Sequence, residues 1–85
     1  MAKRATRIEV ELYGYPKGDE ELSSPLELRE VTFVASPETL RRLASFLNQT
    51  ATEMEKYGKG FDHEHFSIVY EDSWVEGSGD VIVSS

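Results

Sequence analysis

An 85-residue chain reads as one domain, with 16 acidic against 9 basic residues and a net charge of −7. It has no cysteine, which excludes a disulfide framework and thiolate metal ligands and fits a cytoplasmic protein. No run approaches the ~20 apolar residues of a membrane span, and direct nucleic-acid binding is disfavoured because phosphate contacts need clustered Lys and Arg.

The charge is uneven along the chain. Lys3, Arg4 and Arg7 open it without an acid nearby, and residues 1–5 read as a disordered basic N-terminus of a single domain spanning 1–85. No apolar run follows these residues, so they do not form a signal peptide. From about Thr6 to Tyr13, Ile8, Val10 and Leu12 alternate with Arg7, Glu9 and Glu11, the period of a half-buried strand. "YGYPKGDEELSSP" is a loop by its glycine, proline and charge, and long for a hairpin. The next run, "LELREVTFVA", changes phase: Leu26 and Leu28 share one face, Val31 and Phe33 the opposite parity. A bulge near Arg29–Glu30 would return all four to one face.

Ser36 as N-cap, Pro37 at the first helical position and Glu38 in the first turn predict a helix start. Leu40, Leu43, Ala44, Leu47, Ala51 and Met54 form an apolar stripe, Glu38 and Arg42 pair on the wet side, and Gly58 ends the helix. Two further strands are expected at about His65–Tyr70, where Phe66, Ile68 and Tyr70 alternate, and at Asp80–Val83. The predicted architecture is α+β: a two-layer β-β-α-β-β domain with one long amphipathic helix on a four-stranded, mainly antiparallel sheet.

Asp62, His63, Glu64 and His65 stand together in "GFDHEHFSIVYEDSW". On a strand the two histidines project from one face with Cα atoms ~7 Å apart, a spacing at which two imidazoles can share a Zn²⁺ ion. The remaining ligands would have to be carboxylates, since the chain has no other histidine and no cysteine. General acid–base chemistry needs a pocket, and one helix on one sheet offers little concavity. "GSG" at 77–79 is a turn, too short for a phosphate loop. No catalytic residue, cofactor or metal is therefore assigned. Tyr13, Tyr15, Phe61, Phe66, Tyr70 and Trp74 offer a different signal, with Phe66 assigned to the core and Trp74 divided between core and binding anchor.

The order "LREVTFVA", "SPETLRRLASFL", "EMEKYG" and "FDHEHF" across residues 28–66, with the late tryptophan and "DVIV", resembles the immunity protein 32 family of bacterial polymorphic-toxin systems. The resemblance implies a non-enzymatic protein that binds and neutralises a cognate toxin effector, and it transfers no residue role. Residues 60–85 carry Asp62, Glu64, Glu71, Asp72, Glu76 and Asp80 with no Lys or Arg, which suits a cationic partner such as a basic nuclease. The expected partner surface is Asp62, His63, Glu64, His65, Glu71, Asp72, Trp74 and Glu76. Two alternatives stand beside it: a small metal-binding enzyme or sensor using His63 and His65, and a self-associating structural domain. The protein would be a monomer or a homodimer, with no nucleic-acid or membrane partner.

Overall fold

A computed structural model describes residues 7–18 and 22–85; the expected basic tail at residues 1–5 and the start of the first strand at Thr6 lie outside them. The chain forms two compact units, one up to Val34 and one from Ala35 to Ser85. In order, the elements are β1 (Leu12–Gly14), β2 (Leu26–Leu28), α1 (Pro37–Tyr57), β3 (His63–His65), α2 (Phe66–Val69) and β4 (Ile82–Ser84), with 3₁₀ turns at Gly58–Gly60 and Glu71–Ser73.

The α+β composition and the long helix match the prediction, but the strands form two separate two-stranded sheets, not one sheet of four. In the N-terminal unit β1 and β2 pair antiparallel, Leu12 opposite Leu28 and Gly14 opposite Leu26. A Cβ on Gly14 would stand 3.1 Å from Leu28 Cδ1, so glycine there gives that leucine room. The ladder stops at Leu28 without the expected bulge. Continued past that point, it would carry Val31 and Phe33 to the face opposite Leu28, and a two-stranded ribbon has no cover for both faces. Ile8, Val10, Val31 and Phe33 accordingly lie outside any strand and exposed.

Helix α1 begins and ends where its local chemistry predicts. Ser36 Oγ accepts the Thr39 N–H at 3.1 Å, Pro37 occupies the first turn, and Arg42 reaches Glu38 at 3.1 Å. Gly58, with φ of 53°, closes the last turn by donating its N–H to Met54 O. The buried face overlaps the predicted stripe only at Leu43. Leu43, Phe46 and Thr50 are buried, at steps of three and four, whereas Leu40 is 42% and Leu47 44% exposed. The reason is the width of what covers the helix: one aromatic cluster centred on Phe66 covers a strip, and the strip passes through Phe46.

Phe66 follows β3 directly and starts α2, which replaces the predicted strand at 65–70. In a strand Phe66, Ile68 and Tyr70 would share a face; on helical geometry only Phe66 and Tyr70, four apart, do so. Their rings meet edge to face at 5.3 Å, and Ile68, assigned to the core by alternation, is 58% exposed. Phe46 and Trp74 also pack on Phe66, each ring centre 5.3 Å away. Among the described residues Leu43, Phe46 and Phe66 are the buried apolar ones, flanked by half-buried Tyr70, Trp74, Val81 and Val83. The Arg42 guanidinium stands 5.8 Å from the centre of the Tyr70 ring, joining α1 to the residue after α2.

Candidate functional site

β3 and β4 pair antiparallel, with His63 opposite Ser84, Glu64 opposite Val83 and His65 opposite Ile82. The ladder is extended by the Phe66 N–H donating to Val81 O at 2.8 Å. Val83 packs against the core, so its partner Glu64 lies on the inner face, half-buried. The histidines share the outer face, as the alternation requires. Their rings stand 5.1 Å apart, planes inclined by 70°.

Each ring has a carboxylate on the same nitrogen. His63 Nδ1 donates to Asp62 Oδ2 at 2.7 Å, and His65 Nδ1 donates to Asp80 Oδ2 at 2.9 Å. Glu64 Oε1 accepts the His65 backbone N–H at 3.2 Å. The side chains of His63 and His65 are 47% and 29% exposed.

Asp80 organises this end of the molecule. Its Oδ1 accepts the backbone N–H groups of Ser67 at 2.9 Å and Val81 at 2.8 Å, while Oδ2 accepts the Ser67 hydroxyl at 2.8 Å besides His65. Partial burial pushes the Asp80 carboxyl up, but its hydrogen bonds from His65, Ser67 and Val81 outweigh that and hold it below the usual value. The first turn of α2 thus has one of its orphan N–H groups satisfied by a carboxylate from outside the helix.

Asp80 and Ser67 lie outside the partner surface expected from the sequence. The one signal that finds them is strand register: His65 opposite Ile82 brings Ser67 level with Asp80 when the pairing is extended. Of the predicted surface, Asp62 to His65 form one contiguous group on and beside β3. Glu71 and Asp72 lie exposed in the turn after α2, and Glu76 lies exposed in the following loop. No hydrogen bond or ion pair links these three to the histidines among the described residues. Trp74 is half-buried with its ring against Phe66, so its burial supports the core role weighed for it. Among the described residues no three His, Asp or Glu side chains converge as a ready-made metal cage, and no helix is long and apolar enough to cross a membrane.

No curated protein and no solved structure matches the chain. The model of one family, described as Immunity protein 32, matches residues 30–85. That span runs through α1, the Phe66 cluster and the last strand, takes in every residue of the site above and covers well over half of the chain, and the protein therefore belongs to the immunity protein 32 family.

Proposed function

We propose that this protein neutralises a cognate toxin effector by binding it, without catalysis, through the acidic surface of the C-terminal unit. Family membership carries the general role of toxin neutralisation. The observation that supports this particular surface is the one-sided charge of residues 60–85: six carboxylates and no Lys or Arg. Asp62, with its side chain 89% exposed, stands at one end of β3, and Glu71, Asp72 and Glu76 lie exposed after α2. His63 and His65 join this surface from the outer face of β3, while Glu64 on the inner face and Trp74 against Phe66 are half-buried and contribute only their accessible edges. Carboxylates spread over one surface attract a cationic partner over distances of about a Debye length, ~8 Å at physiological salt, which accelerates encounter more than it slows release. A basic nuclease fits this chemistry, because carboxylates occupy the place of its substrate phosphates.

The test is co-purification with candidate effectors, beginning with the products of the open reading frames adjacent to this protein's gene, followed by association kinetics. Reversing Asp62, Glu71, Asp72 and Glu76 to lysine is expected to slow association at least tenfold and to abolish protection of cells expressing the toxin. A variant that associates and protects like the parent would place the toxin contact elsewhere.

A further inference from the structure

Spacing alone makes His63 and His65 a weak pair of ligands, but the structure adds two observations that bear on what the pair can hold. The first is the state of each ring. A carboxylate has no proton to give, so in the contacts of His63 Nδ1 with Asp62 and of His65 Nδ1 with Asp80 the ring nitrogen is the donor, and Nδ1 of each ring is the protonated nitrogen. Nε2 is therefore the nitrogen of each ring left to present a lone pair to an ion, which binds in place of any proton there. A carboxylate on the far nitrogen is the outer-shell arrangement that orients a metal-binding imidazole and strengthens it as a ligand.

The second observation is distance. Two imidazoles that share one tetrahedral ion through nitrogens at ~2.0 Å hold their ring centres about 5 Å apart. The rings of His63 and His65 stand 5.1 Å apart, on the same outer face of β3. Both side chains are reached by solvent, at 47% and 29% exposure.

From this the geometry points to a bidentate chelate: His63 Nε2 and His65 Nε2 together bind a divalent transition ion, Zn²⁺ foremost, with water in its remaining positions. Imidazole nitrogen is a ligand that suits zinc, and an ion held by two protein ligands keeps open positions, unlike a closed four-ligand structural site. Asp80 is a positioning residue in this arrangement and not a ligand. Both of its oxygens are engaged, by Ser67, Val81 and His65, and what it offers the ion is a fixed imidazole. The chelate is independent of the toxin-binding reading, since it needs only β3, β4 and the two carboxylates.

The experiment is calorimetric titration of the full, tag-free chain with ZnCl₂ near pH 7.5, paired with nitrogen NMR of the histidine rings. The expected result is saturable binding of one equivalent, with the Nε2 resonances of both rings moving and the Nδ1 resonances largely staying. His63→Ala, which removes an exposed ring and leaves the Asp80 cluster intact, is expected to weaken binding at least tenfold with an unchanged far-ultraviolet circular dichroism spectrum. Asp80→Asn is expected to weaken it by about 10–100-fold. Absence of a one-equivalent event, movement of only one ring, or His63→Ala binding within twofold of the parent would each overturn the chelate, and the 5.1 Å spacing would then be the edge-to-face packing of two rings.

Discussion

Thr50 is a buried polar residue in the core strip of α1, 1% exposed beside Phe46, and its Oγ1 has no hydrogen-bond partner among the described residues. An unsatisfied buried hydroxyl costs about 1–3 kcal/mol. Thr50→Val replaces it with a methyl of nearly the same shape and similar helix propensity. The variant is expected to be more stable by about 1 kcal/mol, read as a higher urea midpoint at unchanged slope. A midpoint that falls would mean that the hydroxyl has a partner in solution. Phe66 is the opposite kind of residue: three aromatic rings lean on it, and its position four before Tyr70 makes the cluster possible.

At the scale of elements, Asp80 ties the chain before β4 to the first turn of α2 and to His65 on β3. Its carboxyl is held below the ordinary value of 3.8. A group depressed on folding stabilises the fold fully above its unfolded value, and that contribution disappears as pH falls through the folded value. Asp80→Asn keeps the shape and discards the charge. The parent is therefore expected to exceed the variant in stability at neutral pH, with the gap closing below about pH 4. Denaturant midpoints at pH 7, 5, 4 and 3 check this; a gap independent of pH would assign the effect to packing. Helix α1 needs no such long-range partner, since its start and stop are satisfied by Ser36, Glu38 and Gly58 within its own turns.

For the molecule as a whole, the excess of 16 acids over 9 bases sets a self-repulsion that folding must work against. Few attractive pairs offset it among the described residues. Arg42–Glu38 is an exposed pair, and Arg29–Glu30 at 3.9 Å is looser still. Salt screens both signs of interaction, and here repulsion dominates. Raising NaCl from about 0.02 to 0.5 M, which shortens the Debye length several-fold, is expected to raise the thermal midpoint, while slowing association with a cationic effector. A midpoint that drops with salt would mean that attractive pairs outweigh the net charge. The same charge distribution carries the proposed function, because the C-terminal residues hold carboxylates without a compensating cation.

What the sequence determined by itself is what depends on neighbours along the chain. Ser36, Pro37 and Gly58 bound α1 because caps act over three or four residues. The acidic character of residues 60–85, the absence of thiolate chemistry and the resemblance carried by "FDHEHF" are likewise readable without coordinates. Tertiary structure decided what depends on residues meeting across the chain. Alternation through Phe66, Ile68 and Tyr70 fits a strand, yet Phe66 and Tyr70 share a face in a helix as well, and the cluster around Phe66 selected the helix. Within the C-terminal unit the cluster around Phe66 covers α1 along Leu43, Phe46 and Thr50, so that of the predicted stripe Leu43 is buried while Leu40 and Leu47 stay exposed. His65 and Asp80 are fifteen residues apart and meet only through the β3–β4 register. Alternation along "DHEH" already puts the two histidines on one face; the pairing of two strands is what placed a carboxylate behind His65.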